Sequence, residues 1–279
     1  MSKMSFNYIV ILVLVISAGL GGFGCGWFSP NEPTTADHTS VTTSVNFPGQ
    51  SLSVMAVSRI DLVVFGAGVD TIKTQLTLNG TRATGQVSVP VNKTLTFQVT
   101  VYDANNVILL QGQTVTTVSK DQANSIAVTL QFQVPALILT PTQASIAVGD
   151  SIEVMLQARN VSNMTSLGAR ILFDQTRLQV VDLDIDPDFI SGNDGELVLL
   201  PVDQDFTTGK VDIVMGVVPA SSSVSGDGIL GKVLFKTLVA DTVDLDISLD
   251  STTDSDLGMY NSTAQSVDAL TLGNRLIIQ

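Results

Sequence analysis

The sequence offers few side chains that could perform catalysis. It has one histidine, His38, and one cysteine, Cys25, and both lie in N-terminal segments without the pattern of a folded core. Nucleophilic and acid–base catalysis mostly depends on such a side chain held in a folded site. Paired carboxylates could still hydrolyse glycosidic bonds, but aromatic residues, which line sugar clefts, make up only 5% of the sequence. We therefore predict no catalytic residues and no enzyme.

Gly226, Gly228 and Gly231 have the G-x-G-x-x-G spacing of a dinucleotide-binding loop. That loop requires a strand before it and a helix after it, because the phosphates bind at the helix N-terminus. Here a serine-rich segment precedes the glycines, and an apolar run typical of a strand follows them. We predict no nucleotide site and no cofactor.

Two groups of carboxylates could attract a hard cation. The acids of the first group occupy alternate positions and would repel one another unless they are solvated or bridged by calcium. Neither group has the spacing of the twelve-residue calcium loop. Bound calcium and solvated loop acids stay open as alternatives, and we assign no metal ligand. The first group is Asp182, Asp184, Asp186 and Asp188, and the second is Asp250, Asp254 and Asp256.

The N-terminus has the organisation of an export signal. After Lys3 no charged residue appears before Glu32, and an apolar run at Ile9–Ile16 is followed by small residues. The cysteine that follows Gly24 resembles the lipidation site of bacterial lipoproteins, although position 22 is glycine rather than the usual aliphatic residue. Residues 1–25 are therefore predicted to be a lipoprotein-type signal, with lipid on Cys25. The alternative is an uncleaved anchor helix, and either one places the remaining chain in the cell envelope, outside the cytoplasm.

Residues 26–53 are rich in Ser, Thr, Pro and Asn, and we predict a flexible tether there. Because Cys25 is the only cysteine, intramolecular disulfides are excluded. Residues 135–279 hold 7 Lys and Arg against 20 Asp and Glu, whereas residues 1–134 hold 6 of each. The whole net charge of −13 therefore falls in the C-terminal half. This charge argues against nucleic acid or anionic lipid as a ligand of that half.

Short runs of Val, Ile, Leu and Thr between Gly, Asn, Asp and Pro predict an all-β protein with two sandwiches. In residues 54–134 we expect a small sandwich of immunoglobulin or transthyretin type, with Leu95, Phe97, Val99 and Val101 facing inward. Its predicted strands are Arg59–Gly66, Thr71–Leu78, Ala83–Val89, Thr94–Tyr102, Val107–Val118 and Ser125–Phe132.

Residues 135–279 resemble the cohesin domain family in the order of their elements. The resemblance lies in the Val148-Gly149-Asp150 entry to the second strand, Phe173-Asp174 followed by Leu178, the Gly228–Phe235 strand, and the final Gly273–Ile278 strand. It implies a nine-stranded jelly-roll sandwich that binds a dockerin, a calcium-loaded module on another protein, and so a link to polysaccharide breakdown. In the family, the dockerin lies across a flat sheet of strands eight, three, six and five.

Strand alternation then predicts which residues contact the partner. We assigned 211–215 to strand six and 232–236 to strand eight, with Leu172, Val214 and Leu234 forming an exposed apolar stripe. An apolar centre with a polar rim is typical of a protein-binding surface, and Arg170 and Lys232 could meet an acidic partner. Alternatively, these are ordinary exposed aliphatics, or the first sandwich covers them. The predicted partner-binding residues are Arg170, Leu172, Asp212, Val214, Lys232 and Leu234.

Two other functions stay open. A carbohydrate-binding module usually stacks sugars on exposed aromatics, and after Phe173 and Phe235 are placed in the core only Phe189, Phe206 and Tyr260 remain in the C-terminal half. A structural or adhesive surface protein without a dockerin partner is the second alternative.

Overall fold

A computed structural model describes residues 37–47, 57–120, 125–185, 188–191, 195–199, 206–219, 222–252 and 254–279. The predicted signal and its Cys25, and most of the predicted tether, lie outside these residues. Residues 37–279 form one compact unit, which is almost entirely β-structure, as predicted. In the part of the chain described, no helix is long and apolar enough to cross a bilayer.

The first sandwich consists of two sheets that enclose one apolar core. The sheet orders are β4-β5-β1-β8 and β3-β2-β6-β7-β9. All four side chains predicted to face inward from β6 are fully buried, because residues at i and i+2 of a strand share a face. The strands are β1 His38–Asn46, β2 Val57–Gly66, β3 Val69–Gln75, β4 Thr77–Asn79, β5 Arg82–Pro90, β6 Lys93–Asp103, β7 Ile108–Val118, β8 Ser125–Ala127 and β9 Gln131–Phe132.

Strand β1 corrects the prediction that residues 26–53 are a tether throughout. It pairs antiparallel with β5 and parallel with β8, and Val41 and Val45 are 0% exposed in the core. Although the segment is polar by count, its residues at 41, 43 and 45 are β-branched and share one face of the strand. The folded part of the chain therefore begins by residue 38 rather than at 54.

The second sandwich also has its own apolar core, and its strands number nine when β12 is counted as two and β11, β18 and β19 are left out. One short helix, α1, spans Asp188–Ser191, and a 3-10 turn spans Phe206–Thr208. The strands are β10 Ala136–Pro141, β11 Ser145–Ile146, β12 Ser151–Leu172, β13 Leu178–Asp184, β14 Glu196–Leu199, β15 Lys210–Val218, β16 Val224–Thr237, β17 Asp241–Ser248, β18 Gly258–Asn261, β19 Leu270–Leu272 and β20 Asn274–Ile278.

Strand β12 bends and contributes to both layers of this sandwich. Its first part pairs with β10 and β16, and β16 in turn pairs with β13. Its second part, from Ser166 to Leu172, pairs with β15 and β17, and β15 pairs with β14. Between the parts the register shifts, and Asn160 and Asn163 have positive φ angles of 49° and 53°. Asparagine tolerates this left-handed conformation better than most residues, so the bend is encoded locally.

The two sandwiches meet through strand β10. Leu137 and Leu139 face the core of the second sandwich, whereas Ile138 faces the core of the first. Leu272 of β19, the parallel neighbour of β10, is also buried in the first core. A strand buried on both faces has a continuous apolar sequence, and Leu137-Ile138-Leu139 has that character.

We expect Val41→Ala to lower the free energy of unfolding by about 2 kcal/mol, because it removes two buried methyl groups and leaves a cavity. Denaturant unfolding of the full chain measures this change. Ser40→Ala, at an exposed position of the same strand, is the control and should change stability by less than about 0.5 kcal/mol. Equal stability of the two variants would contradict the burial of Val41 and would favour a tether at this segment.

Candidate binding surface

The outward side of the β14-β15-β12-β17 layer carries an apolar surface, which we call the outer face. Register places its residues, because directly paired residues point to the same side of a sheet. Leu172 pairs with Lys210 on one side and Asp246 on the other. Val198 pairs with Gly216, and Val218 pairs with Glu196. The outer face is defined as the apolar residues Leu172, Val198, Val214 and Val218 with the charged residues Glu196, Lys210 and Asp246.

Several of these apolar side chains are open to solvent. Leu172 is 41% exposed, Val198 and Val218 are similarly exposed, and Val214 is half-buried. Because Gly216 has no side chain, it leaves space between Val214 and Val218 on the same strand. Val198, Val214 and Val218 form one group, and Leu172 lies beyond the Arg170–Asp212 pair at the other end of the face. Grouped exposed apolar residues are typical of an interaction surface, whereas single ones are ordinary.

Lys232 and Leu234 do not lie on the outer face, which corrects the predicted six-residue surface. They belong to β16, which pairs with β13 and the first part of β12 in the opposite layer. The rings of Phe173 and Phe235 meet across the core with centroids 5.1 Å apart. Since Leu172 and Leu234 each precede one of these inward phenylalanines, they point to opposite sides of the sandwich.

Alternation has the same period in both layers, so it shows which side of its sheet a residue faces but not the layer to which its strand belongs. The predicted position of Lys232 and Leu234 depended on the order of the strands. With β12 counted as two and the two-residue β11 left out, the strand at Asp241–Ser248 is the eighth, and it is the neighbour of β12 in the outer-face layer. Its outward residues include Asp244 and Asp246. Asp244 accepts two hydrogen bonds from Arg275 of β20, at 2.6 and 3.2 Å, so Asp246 is the carboxylate that this edge adds to the outer face in place of the predicted Lys232.

Arg170 and Asp212 lie on the predicted side of the sheet, but they bind each other. The Arg170 guanidinium donates through Nε to Asp212 Oδ1 at 2.6 Å and through Nη2 to Oδ2 at 2.8 Å. It also donates to Asp254 Oδ2 at 2.7 Å. The Arg170 and Asp212 side chains are only 16% and 10% exposed. Arg170 is therefore already neutralised, and the prediction that it meets an acidic partner does not fit this geometry.

A loop that crosses the sheet explains why this ion pair is shielded. The backbone oxygen of Asp256 lies where a Cβ atom on Gly168 would be, so only glycine at 168 lets the loop approach this closely. The loop ends in β18, which pairs with β12 from Met164 to Gly168. Strand alternation predicts the direction of Arg170 correctly, but it contains no information about a loop lying above it.

The electrostatics of this cluster favour its charged state. A hydrogen bond from the backbone N–H of Asp256, followed by the bond from Arg170, lowers the pKa of the Asp254 carboxyl. The hydrogen bond to Asp212 raises the pKa of Arg170 despite its burial. The contact between Arg170 and Asp254 therefore favours the charged form of both groups.

The acidic groups show no calcium geometry where they are described. Asp182 and Asp184 are exposed on β13, opposite Leu234 and Lys232, while Asp186 and the side chain of Asp188 lie outside the described residues. In the second group, Asp250 accepts hydrogen bonds from Thr252, and Asp254 accepts from Asp256 and Arg170. Among described residues, no three acidic, His or Cys side chains are grouped to hold a metal.

Val198 and Val218 were missed by the sequence analysis. They could have been found by asking which segment pairs with residues 211–215, because alternate residues of that neighbouring strand must lie on the same side of the sheet as Val214. Residues 196–199 show little alternation between buried and exposed positions, so alternation alone does not identify them as a strand.

Arg170→Met should lower the free energy of unfolding by about 3–5 kcal/mol, because the shielded Asp212 carboxylate would lose its cation. Urea unfolding of the full chain measures this loss. The double variant Arg170→Met/Asp212→Leu removes both charges and should recover most of it. A double variant as unstable as the single one would contradict this account of the ion pair.

Asp254→Asn should make the stability of the folded chain less dependent on pH in acid solution. Since the pKa of Asp254 is lower in the folded chain than in the unfolded chain, its stabilisation is complete above about pH 4 and is lost as the pH falls through the lowered folded pKa. Melting temperatures between pH 2.5 and 6 measure the effect. Asp182→Asn, at an exposed position, is the control. Parallel curves for the wild type and Asp254→Asn would rule out this contribution.

The cohesin domain family model matches residues 135–275, and no curated protein matches the chain. Three solved structures are similar at low identity. A non-cellulosomal cohesin from Archaeoglobus fulgidus is 18% identical, covering 52% of this chain and 91% of its own, with a TM-score of 0.38. The cohesin CaCohA2 from Clostridium acetobutylicum has the same identity and coverage, with a TM-score of 0.39. A cohesin in a type I cohesin–dockerin complex from Clostridium thermocellum is 12% identical over 53% of this chain and 100% of its own, with a TM-score of 0.42.

The family match covers half of the sequence and coincides with the second sandwich and its bent strand β12. The chain therefore belongs to the cohesin domain family.

Proposed function

We propose that this protein is a non-catalytic binding module that captures a dockerin-bearing protein on the outer face of its second sandwich. The observation that carries the proposal is the exposed apolar group on that face, with charges at its rim. Membership of the cohesin domain family supports it, because the outer-face layer contains the fifth, sixth, third and eighth strands in chain order. Lys232 and Leu234 belong to the opposite layer and are not part of the proposed contact.

The rim suggests which partner chemistry fits. At one end, Leu172 lies between Lys210 and Asp246, so an apolar partner residue flanked by both charge types would be matched there. At the other end, Val198 and Val218 lie beside Glu196. Because Arg170 is neutralised internally, the free rim is more acidic than basic. We therefore expect the complementary surface of the dockerin to carry basic or hydroxyl side chains around apolar ones.

We further propose that the module works in the cell envelope, attached by lipid on Cys25, and serves proteins that degrade polysaccharides. The support is the basic start, the apolar run and the small residues before Cys25. Lipid at that position would attach the folded part to the membrane through the segment that precedes β1.

A direct sugar site on the second sandwich has less support. Phe189 and Phe206 pack against the core of that sandwich, and the Tyr260 hydroxyl donates to the backbone oxygen of Leu257. All three are half-buried, so none of them offers a free aromatic platform.

Leu172→Asp should weaken dockerin capture at least tenfold, because it replaces the exposed apolar side chain at one end of the outer face with a charge, and tenfold corresponds to about 1.4 kcal/mol. Titration calorimetry of the full chain against a panel of calcium-loaded dockerin modules measures the affinity. Leu234→Asp is the matched control. It makes the same change on a strand residue of the opposite layer and should leave affinity unchanged.

Two results would overturn the proposal. One is failure of every dockerin to bind the wild-type chain. The other is binding that is equally sensitive to both variants although circular dichroism melting curves show both to be as well folded as the wild type, since that would place the contact elsewhere.

A further inference from the structure

A groove lined by glutamine side chains lies on the β6, β7 and β9 strands of the first sandwich, far in sequence from the outer face. Its volume is about 520 Å³, and it is open to solvent. Gln98 pairs across strands with Gln113, and Gln111 pairs with Gln131. Directly paired residues point to one side of a sheet, so each amide pair is presented together. The lining residues are Gln98, Gln111, Gly112, Gln113, Thr129, Gln131 and Gln133.

This groove continues toward the second sandwich. A second cavity of about 400 Å³ shares Gln131 and is also lined by Phe132, Arg159, Asn160 and Asp227. The guanidinium of Arg159 lies 3.6 Å from the Asp227 carboxylate and donates to Gln157. Two adjoining open cavities suit an extended chain better than a compact small molecule.

The lining is polar but uncharged in its first part. Gln111 donates to the Thr100 hydroxyl at 3.2 Å, whereas the amides of half-buried Gln98 and exposed Gln113 have no hydrogen-bond partner among the residues described. A side-chain amide offers two donors and one acceptor oxygen. Amides that the protein does not engage can both donate to and accept from a ligand that lies along this side of the sheet.

We propose that this groove binds an uncharged polysaccharide chain. Sugar hydroxyls donate and accept hydrogen bonds as the amides do, and the absence of charge in the glutamine part favours a neutral polymer over an anionic one. A peptide would need apolar pockets or a free sheet edge of some length. The edge strand β9 has two residues, and Phe132 is the one aromatic side chain in the described lining. The site is separate from the outer face, so it goes beyond dockerin capture.

Affinity electrophoresis of the full chain in gels containing xyloglucan, galactomannan or hydroxyethylcellulose tests the proposal. At least one of these neutral polymers should retard the protein, and polygalacturonate, which is anionic, should not. Gln98→Ala/Gln113→Ala should raise the dissociation constant for the retarding polymer at least tenfold. It should leave dockerin affinity and the melting curve unchanged.

The matched control is Thr94→Ala/Thr117→Ala. These residues form the cross-strand pair four positions along the same two strands and on the same side, and their hydroxyls are 3.1 Å apart. The control should change polysaccharide affinity by less than twofold. Retardation by none of the neutral polymers would overturn the proposal. Equal losses of polysaccharide affinity in both double variants would also overturn it. So would stronger retardation by polygalacturonate than by the neutral polymers.

Discussion

The bend in β12 is the constraint on which the second sandwich depends. One continuous strand supplies a central member of both layers, so the two layers enclose a core whose residues come from both ends of that strand. The bend also decides which residues face outward on which side. Arg170 and Leu172 belong to one surface, and Leu234 to the other, because Phe173 and Phe235 meet between them.

The second constraint is the loop that lies over Gly168. By bringing Asp254 to Arg170, it turns two outward-facing charged residues into a shielded cluster and leaves apolar residues exposed on either side of it. The sheet thus presents a surface whose middle is fixed by internal hydrogen bonds. A partner that binds there would find Leu172 and Lys210 at one end and Val198 and Val218 at the other.

Much of the fold could be predicted from the sequence, because alternation is a local property. The inward set of β6 and the directions of Ile171, Phe173, Ile213 and Val233 follow from it, and all of these residues are buried. Pairing is not local. The sequence placed Lys232 and Leu234 beside Leu172 because strand order was inferred by counting, and a single extra strand moves a residue to the opposite layer. Strand β1 was missed for another reason, since its Ser and Thr residues resemble those of a linker although two valines among them are buried.

The contact through β10 has a consequence for where this protein can be divided. Ile138 and Leu272 belong to the stretch that the family model covers, yet their side chains complete the core of the neighbouring sandwich. Cutting the chain at residue 135 would expose both to water and would remove part of the packing of the upstream half. The piece of chain that folds as a unit is therefore larger than the piece that evolution has reused as a named module.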